Sequence, residues 1–462
     1  MSDVEGSVLL EYLSTHRREG KWKKKEDLEV KSEEENREAP LSKPRNPKPN
    51  QLTKIIHLPH SIIKMKHLLS AAVSALICVY THAFSVVPAR RRRSVSKWQL
   101  HTESDDPSCE VLLMDHFNIN HEKGRHDALK AFYFDFLGCS IDPRKQENIK
   151  LGSNTLWANV GKCTRTHPTV SSSRSISLFV IHLIYICHSG LHQFHLPEGK
   201  PDAQVFDGVI TLIHEDLSAL MERYNDYLDG DEKFVPLKDS EFLVGVVDDT
   251  LMMVTDPWGN EFSIMSTDDP EQDRASDIGA QPLIEGHEPS EGLKIEDLTV
   301  YIPHDANLEG IGRFYQHVLG APAIEELGSE SSISISMGER QTLTFQYHPD
   351  GPNTEVCHHD FSYDAQDETF PSNYGPHISL YVTDLGKAYQ RAANLGVSYV
   401  NPRFKRRAYS EEEALDQCMF RLIEIIDPLD EDKEVILYLE HEVRSVKTRD
   451  GKKYKSCPLN EV

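Results

Sequence analysis

VLLMDHFNIN (Val111–Asn120) is followed closely by HDALKAFYFDFLG (His126–Gly138), and the same order returns later as IEDLTVYIP (Ile295–Pro303) and LEGIGRFYQHVLG (Leu308–Gly320). The first member of each pair reads as a strand, from its apolar and β-branched residues. The second reads as an amphipathic helix, with Leu129, Phe132, Tyr133 and Phe136 on one face and Gly138 and Gly320 as left-handed stops. FDGVITLIHEDLSALMERYNDYL (Phe206–Leu228) and YGPHISLYVTDLGKAYQRAANLG (Tyr374–Gly396) repeat the rhythm, with Asp216 and Asp384 placed as N-caps. Each half of the chain then closes with strands around an Asp-Pro turn, LMMVTDPWGNEFSIM (Leu251–Met265) and IEIIDPLDEDKEVILYLEHEVRS (Ile423–Ser445). One strand–helix–strands unit therefore recurs four times, the mark of an internal duplication.

These motifs, most specifically DHFNIN with FYFDFLG, DPWGNEF, LTVYIP with FYQHVLG, and PHISLYVTDL, resemble the vicinal oxygen chelate superfamily, which includes glyoxalase I, extradiol dioxygenases and bleomycin-resistance proteins. The resemblance implies an α+β chain of two tandem domains, residues 111–268 and 293–446, each a pair of βαβββ modules whose curved sheets enclose a cleft. Between them lies an acidic linker, 269–292, and after them a tail, 447–462.

The composition bounds the function. The chain has 462 residues, a formal net charge of -24 and a pI near 5.4. An acidic surface does not displace the counterions of nucleic acid or of an anionic membrane, so a small-molecule substrate or ligand is expected and nucleic acid is not. The eight cysteines are scattered without a C-x-x-C pair, which predicts free thiols rather than a zinc knuckle or a disulfide framework.

Residues 1–64 are rich in Lys, Glu, Asn and Pro and read as disordered or as an over-extended start. From Met65, a lysine-flanked apolar run (Leu68–Tyr80) and small residues ending at Ala83 have the layout of a signal peptide, too short for a stable membrane span. Phe84, the run Arg90–Arg93, and the absence of acidic residues between Glu38 and Glu103 make 65–105 resemble the bipartite presequence of plastid proteins in algae with secondary plastids. Plastid delivery is the expectation, with secretion or membrane anchoring as the alternatives.

NTLWANVG (Asn154–Gly161) and LHQFHLPEG (Leu191–Gly199) each alternate and should pair as a hairpin. Residues 162–190 between them have no acidic residue and no fitting period, and a structureless loop of that length inside a domain is uncommon. Gly161-Lys162 can be encoded with a GTAAG donor and His188-Ser189-Gly190 with a pyrimidine-CAG acceptor. The segment therefore reads as a retained intron, and His167, His182 and His188 are set aside as ligands.

What the resemblance implies about a site is a divalent metal, Fe, Mn, Ni or Zn, held by His and carboxylate side chains on four strands with positions open to substrate oxygens. In the first half the ligand positions fall on His116 and His195, with Val209 and Ser263 unable to bind at the other two. In the second half they fall on Asp297, a position near Gln346 or Tyr347, His377 and Glu440, with Glu442 and Glu434 competing for the last. The metal is therefore expected on Asp297, His377 and Glu440, with His116 and His195 a weaker pair. Tyr301, Tyr347 and Tyr381 are candidates to line a cleft. Arg403, Arg406 and Arg407 are candidates to meet an anion, and the turn-rich stretch 348–375 to form a lid. The sequence leaves open a metal-dependent lyase, isomerase or dioxygenase, and a metal-free small-ligand binding protein.

Overall fold

The computed structural model describes residues 109–459 apart from 143–144, 152–154, 162–191, 199–202, 268–289, 325–329, 339, 357–375 and 403. The expectations for the N-terminal extension, the presequence, residues 162–190 and the lid from 357 onward lie outside the described residues.

Four βαβββ modules follow one another. The first has β1 (Val111–Asn118), a helix α1 (His126–Leu129) that widens into a π-helix over Lys130–Phe136, β2 (Ser140–Ile141), β3 (Leu156–Asn159) and β4 (Gln193–Leu196). The second has β5 (Gly208–His214), α3 (Ser218–Asp229), β6 (Leu243–Val246), β7 (Leu251–Thr255) and β8 (Glu261–Ser266), after a short α2 (Gln146–Leu151) inserted in the first. The third runs β9 (Gly292–Ile302), α4 (Leu308–Leu319), β10 (Ala323–Ile324), β11 (Ser332–Ser336) and β12 (Thr342–Tyr347). The fourth runs β13 (His377–Val382), α5 (Leu385–Leu395), β14 (Ser398–Tyr399), β15 (Met419–Ile426) and β16 (Val435–Ser445), with α6 (Glu411–Gln417) inserted before β15.

The local expectations hold in detail. Leu129, Phe132, Tyr133 and Phe136 are all fully buried, each side chain contributing about 1.5–3 kcal/mol relative to exposure. Gly138 and Gly320 adopt φ of +70° and +67°. At Gly320 a Cβ would sit 1.7 Å from the Cys109 carbonyl oxygen, so that turn admits no side chain. Asp384 accepts the Lys387 N–H at 3.0 Å as an N-cap, whereas the N-cap position of α3 falls on Leu217, one residue later than expected, and Asp216 before it accepts the Ser218 N–H at 2.8 Å. The hairpin across the suspected insertion is present, with Leu156 opposite Leu196 and Asn159 opposite Gln193. The ladder continues to Val160, whose N–H meets the His192 carbonyl at 2.8 Å.

The long-range pairing differs from the expectation. The sheets do not follow the halves of the chain. One eight-stranded sheet, in the order β14-β15-β16-β13-β1-β4-β3-β2, joins the first module to the fourth. The other, β10-β11-β12-β9-β5-β8-β7-β6, joins the third to the second. The seams are the antiparallel pairs β1·β13 and β5·β9, each broken by register shifts. One hydrophobic core cluster contains residues from all four modules. The buried Gln341 side chain bonds the Met114 N–H and carbonyl in one sheet and the Ile295 carbonyl in the other. Among the described residues no helix is long and apolar enough to cross a membrane, and Cys109, Cys139, Cys418 and Cys457 are buried free thiols.

Candidate metal centre

Because strands alternate their side chains between two faces, the register of the first sheet puts two rows of polar residues side by side. One row runs His195, Asn118, His377, Glu440, and the next runs Gln193, His116, Ser379, Glu442. His116, His195 and His377 converge, with one donor nitrogen from each lying within 4.8 Å of the others. His116 and His377 are 1% exposed. Burial lowers the basicity of both, most strongly at His377, where Arg421 adds to the effect. Both rings are thereby kept neutral, the form that binds a metal.

Asp115 fixes His116. The β1·β13 register shifts between Met114 and His116, and a bulge of this kind re-aims a side chain. The Asp115 carboxylate meets His116 Nδ1 at 2.9 Å, which leaves Nε2 for the cluster. A carboxylate behind a ligating imidazole is the usual device for holding its tautomer and ring plane. His195 stacks on Trp157 at 4.2 Å between centroids, and His377 meets Phe404 edge-on at 5.3 Å.

The carboxylates of the last strand are held by arginine. Arg421 NH1 bonds Glu440 at 2.5 Å, and its NH2 is paired with Glu442. Asn401 donates to the other Glu440 oxygen at 2.6 Å, and Arg444 also pairs with Glu442. Burial raises the Glu440 carboxyl above its usual range against the pull of Arg421 and Asn401. At Glu442 burial acts the same way, but Arg421 and Arg444 together overcome it and hold the group well below that range. The donor set fits a divalent ion through three imidazoles, with Glu440 the nearest carboxylate in the register.

A cavity of about 270 Å³ opens beside the cluster. Lys405, Arg406, Arg421 and Arg444 line it against Asp115 and Glu442, an excess of positive charge suited to an anion. Trp157 and Phe404 supply flat apolar walls, and Ser456, from the tail, completes it. The tail is thus part of the site: Tyr454 and Cys457 are buried, and the Ser456 carbonyl accepts the Tyr381 hydroxyl at 2.7 Å.

The expected ligands are redistributed by this topology. His116, His195, His377 and Glu440 share one face, although the sequence divides them between the two halves. Asp297 lies in the other sheet, opposite Thr211 and beside Thr342. Its carboxylate is satisfied by the Thr299, Thr342 and Thr344 hydroxyls at 2.6, 2.5 and 2.8 Å. It therefore does not join His377: the expected ligands Asp297 and His377 lie in different sheets, and the residues brought together are His116, His195 and His377, with Glu440 beside His377 in the register. Val209 and Ser263 belong to that second sheet too, so both positions lacking a ligand fall together with Asp297 in a threonine-lined counterpart.

Of the tyrosines, Tyr301 and Tyr347 are in the second sheet and only Tyr381 is near the histidines. Arg406 reaches the cavity, Arg407 caps the Phe404 carbonyl at 2.9 Å, and Arg403 lies outside the described residues. Glu434 falls just before β16 and is exposed. Asp115, Trp157, Arg421 and Arg444 were missed from the sequence. The alternation of Glu440, Glu442 and Arg444 inside an apolar strand was the available signal.

Among solved structures, glyoxalase I from Zea mays matches at 12% identity over 73% of this chain and 92% of its own, with a TM-score of 0.36. A putative dioxygenase from Bacillus subtilis subsp. subtilis str. 168 matches at 10% identity over 77% and 92%, also at 0.36. The 2,3-dioxygenase LapB from Pseudomonas sp. KL28 matches at 12% over 73% and 93%, at 0.22. Scores at this level add no weight to a reading of fold or activity. No protein-family model matches the sequence, and no curated protein does. The fold rests on its own topology: four βαβββ modules joined in pairs into two eight-stranded sheets, one with a polar cleft. On that topology the chain has the vicinal oxygen chelate fold.

Proposed function

We propose that the chain is a metal-dependent enzyme acting on a small anionic molecule with adjacent oxygens, in the cleft between the first and fourth modules. The observation that carries this reading is the convergence of three imidazoles from three strands within 4.8 Å, with Asp115 bonded to the far side of one. His116, His195 and His377 would hold the ion, which supplies Lewis acidity to substrate oxygens when bound. Arg444 and Arg406 attract the substrate's negative charge, and Trp157 offers a face for a planar group. Arg421 keeps Glu440 and Glu442 in place, so that the histidines present an uncrowded donor set. Among the described residues the threonine-lined second sheet carries no such set. Lyase, isomerase and ring-cleaving chemistry are all compatible with a metal that leaves positions open to substrate.

The test is metal content of the full chain purified without chelator, beside His116→Ala and His377→Ala, with turnover of 2-oxo acids, hemithioacetals and catechols measured before and after chelation. One equivalent of metal lost in each variant, together with a chelator-sensitive turnover, supports the enzyme. Equal binding of these compounds by metal-free and metal-loaded protein, with no turnover, replaces it with a metal-free binding protein.

A further inference from the structure

A second group of ligand-type side chains lies outside the cleft, in the first module. His121 follows β1, His126 opens α1, and Glu198 follows β4. The chain brings them together because β1 and β4 run parallel and extend past their last paired residues. The His121 N–H bonds the Pro197 carbonyl at 3.0 Å, and His121 bridges Glu198. The His121 and His126 rings are 4.9 Å apart between centroids, and His126 Nδ1 lies 3.9 Å from a Glu198 oxygen. One donor atom from each of the three residues lies within 4.8 Å of the others.

His121 is the informative member. It is 1% exposed, and neither ring nitrogen has a hydrogen-bond partner of good geometry, with the Leu196 and Pro197 carbonyls beside the ring. Native structures pair almost all buried polar atoms, and a group left unpaired calls for an explanation such as an ion. Trp258, from the second module, stands 5.9 Å from His121 on another side, so the ring is enclosed rather than open to bulk water.

We propose that His121, His126 and Glu198 form a second divalent metal site, of the zinc type, that pins the end of β1 and the start of α1 to the turn after β4. Two imidazoles and a carboxylate suit Zn(II), whose bonds of about 2.0–2.2 Å place donor atoms about 3.4 Å apart. The three side chains therefore draw in by about an ångström on binding, and water takes the fourth position. Burial, with His126 beside it, pushes the His121 imidazole down to about 3, which keeps it neutral and ready to bind across the physiological range. This site shares no residue with the cleft and does not rest on the function proposed for it. Its role is to hold the turn that follows His195, one of the cleft histidines.

The experiment uses the full chain loaded with Zn(II) or Co(II), dialysed, and analysed for metal, together with His121→Gln, Glu198→Gln and His377→Ala. Two equivalents in the wild type are expected, one lost in His121→Gln and in Glu198→Gln, and a different one lost in His377→Ala. Because Glu198 is partly exposed, Glu198→Gln tests the site without opening the core. Zinc should raise the thermal midpoint of the wild type by several degrees more than that of Glu198→Gln. One equivalent in the wild type that persists in His377→Ala and vanishes in Glu198→Gln supports this site while refuting the cleft site. Metal content and zinc response unchanged in both His121→Gln and Glu198→Gln overturn the proposal.

Discussion

Replacing Arg421 with methionine isolates the electrostatics of the cleft. Arg421 is 4% exposed and is shared by Glu440 and Glu442, themselves 4% and 6% exposed. Methionine keeps apolar contact with Phe404, over whose ring the guanidinium carbon sits at 3.9 Å, but removes the charge. Glu442 retains Arg444, whereas among the described residues Glu440 retains Asn401 but no second cation. Leaving one member of a buried ion pair uncompensated costs about 3–5 kcal/mol, and one orphaned carboxylate places the variant near the lower end. The pH dependence follows from the direction of the shifts. Burial already raises Glu440 above the ordinary 4.5, and Arg421 opposes that rise. Without Arg421 the folded variant binds a proton more readily than its unfolded chain. Its deficit is therefore complete at pH above the raised value and fades as pH falls toward and below about 4.5. Glu442 adds in the same sense, but its part is fully present above 4.5 and is lost only as pH falls through its own value, held well below that, so the fading between pH 8 and pH 4 comes mainly from Glu440. Urea unfolding of both proteins with EDTA, from pH 8 to pH 4, measures this directly. A deficit under about 1 kcal/mol at pH 7.5, or one of the same size at both ends of the range, refutes the reasoning.

Other consequences are as open to measurement. Since Val160 and His192 are hydrogen-bonded across the hairpin, removing residues 162–190 leaves Gly161-Leu191 as a two-residue loop with Gly first, the composition of a type II′ turn. Shortening the connection between the paired strands to that length recovers about 2 kcal/mol of closure entropy. The shortened chain should fold, with a higher urea midpoint, and an unfolded product contradicts the hairpin account. Residues 286–462 produced alone lack β1 and β5, the partners of β13 and β9, and should show no cooperative unfolding until mixed with residues 109–268. A stable, cooperatively folding monomer of 286–462 contradicts the pairing. Gly320→Ala forces a left-handed residue to carry a Cβ against the Cys109 carbonyl and should cost more than about 2 kcal/mol, read from the same denaturation curves.

The module is legible in the sequence because its causes are local. Apolar spacing places Phe132 and Phe136 inside, an Asp384 side chain starts a helix, and Gly320 ends one. The four strand positions carrying His116, His195, His377 and Glu440 are what the superfamily resemblance implies, added to that local pattern. Which module joins which is not legible in this way, because the β1·β13 and β5·β9 seams are made by backbone groups that every strand possesses. Asp297 illustrates the consequence: its strand position is that of a ligand, but the seam delivers it to threonine hydroxyls rather than to His377. Asp115 is hidden for a different reason. A period of two points it away from His116, and only the register shift in the folded sheet turns it back.

The most direct test of the central claim is X-ray absorption at the K edge of the metal carried by the full chain, with Glu198→Gln used to remove the contribution of the second site. The structure predicts a first shell with three imidazole nitrogens at about 2.0–2.1 Å and oxygen in the remaining positions, reduced by one imidazole in His195→Ala. A shell without imidazole, or one unchanged in His195→Ala, contradicts it.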